Sequence, residues 1–133
     1  MDLDRDNRTA LLYLAMIFKE EGRYGEAEEL LDRLIDLSAS IDALSLKGEI
    51  KFQAGDMPDA RKYLELSINS GDKRARTYYS VALAYAAMNQ ANEGVAAARQ
   101  ASLLDPQNEE YRTLVEKLTR VVETSARVSI IDD

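Results

Sequence analysis

Residues Val81–Asn108 read VALAYAAMNQANEGVAAARQASLLDPQN, and the order of apolar and polar residues describes two helices joined by a short turn. Val81, Ala82 and Tyr85 mark one face of the first helix. Val95, Ala98, Ala101 and Ser102 mark one face of the second, again at helical spacing. A polar turn around Asn89 separates them, and Asp105-Pro106 closes the pair. The same pattern occurs twice upstream. The small residue that starts the packing face of the second helix is Ala27, then Ala60, then Gly94, at intervals of 33 and 34 residues. A helix pair repeated at that period implies a solenoid, because one pair cannot bury its apolar face alone.

Aligned on those residues, the turns fall at Gly22, Gly55 and Asn89. Glycine enters the left-handed region without steric cost, and asparagine tolerates it best among the other residues. The first helix of repeat 1 carries Leu11, Leu14, Ala15 and Phe18 as its expected buried face, and that of repeat 3 carries Tyr78, Val81, Ala82 and Tyr85. Repeat 2 departs from the pattern: beside Leu44 and Gly48 it has Lys47 and Lys51 where apolar residues are expected. Leu46 and Ile50 supply the buried face there if the helix is rotated. The second helices agree better. Repeat 1 has Ala27, Leu30, Leu31, Leu34 and Ile35, and repeat 2 has Ala60, Tyr63, Leu64, Ser67 and Ile68, opened by Pro58, which a first helical turn accepts. Beyond Asn108 a further stripe, Tyr111, Leu114, Val115, Leu118, Val121 and Val122, has a polar opposite face. It predicts one more helix that covers the last apolar face of the array.

The stretches Ala82-Leu83-Ala84-Tyr85 and Leu104-Asp105-Pro106 are close to the consensus of the tetratricopeptide repeat family, which this chain resembles over residues 8 to 108. Repeat 1 lacks the closing proline and has Ala39 there; repeat 2 has Asp72. The resemblance implies an all-α fold, a right-handed α-α superhelix of seven helices. It divides the chain into a lead at 1–7 and one domain at 8–126, with repeats at about 8–40, 41–74 and 75–108 and a capping helix at about 107–126. A tail at 127–133 follows, whose Ile130 and Ile131 call for a covering surface.

The same geometry would line a concave groove with first-helix residues. The expected binding residues are Leu12, Met16, Lys19, Glu49, Phe52, Arg76, Tyr79 and Leu83. Leu12, Met16, Phe52, Tyr79 and Leu83 would make an apolar strip with charged neighbours, which suits a peptide or amphipathic helix laid along it. One branch of the family grips acidic chaperone C-termini with a clamp of Lys, Asn and Arg. At the matching places this chain has Leu12, Met16, Leu46, Arg76 and Ser80, so only Arg76 survives and that activity is not expected.

Composition narrows the function. With 17 Lys and Arg against 24 Asp and Glu, the net charge is −7. Such a chain repels nucleic acid and anionic membrane surfaces. It favours basic partner segments, or uses its charge for solubility alone. No Cys and no His are present, which removes the thiolate nucleophile, the imidazole base and the usual zinc ligands together. Glu20-Glu21 and Glu28-Glu29 read as solvated helix faces, and no glycine loop cradles a phosphate. No catalytic or metal residues and no cofactor are expected. The acidic start MDLDRDNR is not a signal peptide, and no apolar run approaches the roughly 18 residues that span a bilayer. A cytoplasmic location is expected. The reading is a non-enzymatic protein-interaction module, scaffold, adaptor or small chaperone, with a protein or peptide partner. A self-associating assembly protein that forms homo-oligomers and a bacterial secretion-system chaperone are the alternatives.

Overall fold

The computed structural model describes residues 3–38 and 40–132, with side chains over 7–38 and 40–128. Seven helices follow one another, and no strand occurs among the described residues: α1 Leu3–Glu20, α2 Tyr24–Ser38, α3 Ile41–Gln53, α4 Met57–Asn69, α5 Ala75–Ala87, α6 Ala91–Leu104 and α7 Glu109–Asp132. They form two compact units, Met1–Asp72 with α1 to α4 and Lys73–Asp133 with α5 to α7.

The three turns within the helix pairs share one geometry. Gly22, Gly55 and Asn89 have φ of 77°, 84° and 61°. In each, the next residue donates its N–H back to the last helical turn: Arg23 to the Phe18 carbonyl at 2.8 Å, Asp56 to Lys51 at 2.9 Å, and Gln90 to Tyr85 at 2.9 Å. This left-handed closure satisfies carbonyls that a helix end otherwise leaves open. Side chains cap three helix starts. Ser40 accepts from the Ala43 N–H, Asp56 from that of Asp59, and Asn108 from that of Tyr111. Each satisfies one N–H that the first turn cannot bond internally.

In the first unit, Ala15, Ala27, Leu31, Leu34, Ala43, Leu46 and Ile50 form the buried core, with Leu11, Leu12 and Phe18 packed against it. Leu14 was expected in the α1 face but is 40% exposed, beside exposed Tyr13 and Ile17. The helix is rotated so that Leu11, Ala15 and Phe18 face inward, a turn that its nearly all-round apolar sequence permits. The chain at residues 3–7, expected as a lead, is already helical in α1. Ala39 lies outside the described residues.

Helix α3 resolves the irregular repeat. Leu46 and Ile50 face the core, as the rotated register requires. The helix is covered on both sides by α2 and α4, so Ala43 to Gly48 are all buried. The out-of-pattern lysines reach back to α2. Lys47 pairs with Asp32 and lies over the Tyr63 ring, 4.5 Å from its centroid, and Lys51 Nζ is 2.8 Å from Glu28 Oε1. That Glu28 oxygen is buried without an aligned hydrogen bond, so the contact there is one of charge. Burial alone would lower the Lys47 pKa; Asp32 and Tyr63 outweigh it and hold the ammonium above its ordinary range. Glu28 does the same for Lys51.

Gly48 sets the distance between α3 and α4. A Cβ there would lie 2.6 Å from Leu64 Cγ and 2.8 Å from its Cδ2. The second pair ends at Gly71, with φ of 112°, and at Asp72, which is 3% exposed and accepts from the Ser67 hydroxyl at 2.8 Å. Where the family places proline, this chain closes the repeat with a buried hydrogen bond.

In the second unit, Ala82, Val95, Ala98 and Leu118 form the core, with Leu114, Val115 and Val122 of α7 packed on it. Val121 was expected in that stripe but is 49% exposed, because α7 presents 118 and 122 inward and turns 121 to its flank. The helix continues to Asp132, so residues 127–132 prolong it instead of forming a separate tail. The side chains of Ile130 and Ile131 lie outside the described residues.

Gly48→Ala is expected to lose about 1–2 kcal/mol in urea denaturation: overpacking costs about 1–3 kcal/mol, and alanine's helix propensity returns up to about 1 kcal/mol. Gly25→Ala, in open space within α2, should hold or gain stability; equal stabilities for the two variants would contradict the close approach at Gly48. The raised lysines add an alkaline limb. Their contribution is complete below the unfolded lysine pKa, near 10.4, and is lost as pH rises through the folded values, because the unfolded chain deprotonates first. Thermal midpoints between pH 8 and 11.5 should fall above about pH 10, less steeply in Lys51→Met; a flat profile would exclude the effect.

Candidate functional site

The eight residues expected to line a groove divide between the units. Leu12, Met16, Lys19, Glu49 and Phe52 lie in the first, and Arg76, Tyr79 and Leu83 in the second.

Helix packing in the first unit uses most of its set internally. Leu12 packs against the core, and Phe52 is half-buried. Lys19 Nζ lies 3.3 Å from Glu49 Oε2, the two side chains 10% and 20% exposed. Lys19 also lies 3.8 Å from the exposed Glu20 carboxylate, so the ammonium is used within the unit. Met16 stays 43% exposed. Near them, Tyr24 donates its hydroxyl to Gln53 Oε1 at 3.1 Å.

The second unit builds a concave site. Tyr79 and Leu83 stand one turn apart on α5, and α7 runs beside them. Together with Glu109, Glu110, Thr113, Leu114 and Lys117 of α7 they line a hollow of about 460 Å³. The Tyr79 ring is held by Tyr111, centroids 4.9 Å apart and planes tilted by 40°. Tyr111 is itself buried. Burial, helped by the charges of Asp105 and Glu110 and by Tyr79, pushes its phenol above the ordinary range, so it is neutral and acts as a fixed wall. The floor is apolar, from Leu83, Leu114 and the Tyr79 ring. The rim carries acid at one end and Lys117 at the other. Arg76, one turn before Tyr79, is exposed.

Sequence reasoning found the α5 half of this hollow and missed the α7 half, because α7 was read only as a cover. A signal was present: Leu114 and Lys117 sit three residues apart on one flank of α7, off the Tyr111–Leu118 line. On the opposite flank, Arg112, Val115 and Glu116 line a second hollow of about 380 Å³ with Arg99, Ser102 and Leu103 of α6.

No group of three or more acidic, His or Cys side chains able to hold a metal occurs among the described residues, and no described helix is long and apolar enough to cross a membrane.

Two profiles of the tetratricopeptide repeat match the chain, over residues 9–38 and 75–108. No curated protein matches it in sequence. Among solved structures, the first tetratricopeptide domain of Spaghetti (RPAP3), bound to the HSP90 peptide SRMEEVD, is 15% identical with a TM-score of 0.81, covering 87% of this chain and 93% of that one. The second such domain of human RPAP3, in complex with the HSP70 peptide SGPTIEEVD, is 18% identical with a TM-score of 0.79 and covers 86% and 97%. The Yersinia enterocolitica type III secretion translocator chaperone SycD is 17% identical with a TM-score of 0.75 and covers 92% and 86%. These likenesses establish the fold.

Glu49→Ala is expected to cost about 1–3 kcal/mol, because it leaves the largely covered Lys19 ammonium with only the exposed Glu20 carboxylate at 3.8 Å, whereas Lys19→Met with Glu49→Leu should be close to neutral. Urea denaturation of the three proteins measures this; an unchanged Glu49→Ala midpoint would free both residues for a partner.

Proposed function

From a chain that belongs to the tetratricopeptide repeat family, we propose a non-catalytic protein-interaction module that takes a partner segment in the hollow between α5 and α7. The observation that carries this reading is the pairing of Tyr79 and Leu83, half-buried on α5, with Leu114 and Lys117 of α7 around one concave space. A partner's apolar side chain enters against Leu83, Leu114 and the Tyr79 ring. The ring is already fixed by Tyr111, so little ordering entropy is lost when a partner arrives, and preorganisation of this kind raises affinity. Glu109 and Glu110 favour a basic residue at one end of the segment, and Lys117 an acidic one at the other. That polarity sets direction.

The fold relatives support binding of a peptide or helix as the general activity. The acidic-terminus clamp is not carried over: Leu12, Met16, Leu46 and Ser80 replace its polar residues. Met16 and Phe52 remain proposed partner contacts of the first unit. The narrower reading, a small chaperone that masks an apolar segment of an exported protein, draws support from the chain's size and acidity. Scaffold and adaptor roles use the same site.

Tyr79→Glu and Leu83→Asp place charge in the apolar floor and are expected to weaken partner binding at least tenfold, with the circular dichroism of the helices unchanged. Affinity capture from source cells with the wild type and both variants, read by quantitative mass spectrometry, identifies the partner and checks the site. Proteins retained equally by all three baits would exclude the hollow.

A further inference from the structure

Helix α7 outlasts the core it covers. Leu118 is buried and Val122 half-buried against α6, but Glu123 through Val128 are all exposed while the helix continues to Asp132. An extension of this length is marginal in water without a surface to pack on.

Charges on one flank of α7 are also unpaired among the described residues. Arg112, Glu116, Arg120, Glu123 and Arg127 have no salt-bridge partner among the described residues, and neither has Arg99 of α6 beside them. The first unit, by contrast, pairs Lys19, Arg23, Lys47, Lys51 and Arg61. On α7 the signs alternate at intervals of three and four residues, so two such helices running in opposite directions place unlike charges together.

We infer that α7 pairs antiparallel with α7 of a second copy of this chain, through the flank that bears Arg112, Thr119 and Ala126. The two-fold axis then lies near Val122 and Glu123. Thr119 meets Ala126, Glu116 meets Arg127, and Arg120 meets Glu123, each twice by symmetry. The exposed stretch Glu123–Val128 of one helix then runs toward the hollow between α6 and α7 of the other, where Leu103 is 73% exposed and Arg99 and Arg112 stand at the rim. These charge partners come from another copy because one straight helix cannot bring them together: eleven residues separate Glu116 from Arg127, about 16 Å along the axis.

At 100° per residue, Leu114 and Lys117 lie on the other flank of α7. The dimer therefore leaves the Tyr79 hollow open in both copies and presents two binding sites at once. The inference does not rest on that hollow being a binding site, and either can fail alone.

Sedimentation equilibrium of the full chain should show a concentration-dependent species of twice 14.9 kDa. Glu116→Arg and Arg127→Glu, both at exposed positions, should each weaken the dimer at least tenfold, and the two together should restore it. The chain has no cysteine, so single cysteines report the register. Glu123→Cys, at the axis, should oxidise to a covalent dimer, and Thr113→Cys, whose two copies lie about 28 Å apart along an antiparallel pair, should not. A monomer up to millimolar concentration overturns the inference, as does a dimer indifferent to both reversals or one that cross-links as readily through position 113.

Discussion

Close approach of paired helices is the constraint on which the rest of this structure depends. Ala15 and Ala27 are fully buried in the first pair, Gly48 faces Leu64 beside fully buried Ala60 in the second, and Gly94 faces the Ala82 backbone in the third. Where a side chain stops at Cβ or before it, neighbouring helices draw near enough for Leu31, Leu64 and Leu118 to fill the space between them. Interiors this dense respond to a single added methyl. The left-handed turns at Gly22, Gly55 and Asn89 serve the same end: they return the chain abruptly enough for the second helix to lie against the first.

Close packing on both sides explains the charges of the first unit. A helix between two neighbours has little free surface, and α3 carries lysines at two positions that become partly buried. Each ammonium finds a carboxylate on α2, and Glu49 finds Lys19 on α1. These pairs bind the helices to one another at specified positions. Their desolvation offsets much of the attraction, so they act more on register than on net stability. Lys19 and Glu49 thus follow the physics of a buried pair even though their sequence positions are those of groove residues.

Unit two follows a different economy. Its core cluster is apolar, and α7 adds the walls of two hollows on opposite flanks. One helix that seals the end of a repeat array necessarily creates a crease on each side of itself. Here the crease toward α5 holds an aromatic ring braced by Tyr111, and the crease toward α6 is edged by arginine. Function enters through the difference between them, since the repeat fold is common to proteins with many partners.

The amino-acid sequence by itself determined the helix count, the turns and the repeat period, because these depend on local conformational preference and on apolar spacing along one chain. It also specified the α5 half of the hollow, Tyr79 and Leu83, since residues four apart on a helix share a face whatever surrounds them. Other features were open until the helices packed. Leu14 and Leu11 are equally apolar, and only the neighbouring helices decide that Leu11 turns inward. Lys47 and Lys51 look like errors in a pattern until Asp32 and Glu28 stand across from them. Leu114 and Lys117 belong to a helix that spacing alone marks as a cover, and their place beside Tyr79 arises from contact between elements some thirty residues apart in the chain. Periodicity reports which residues share a face; which face meets which neighbour is settled by volume and charge in three dimensions.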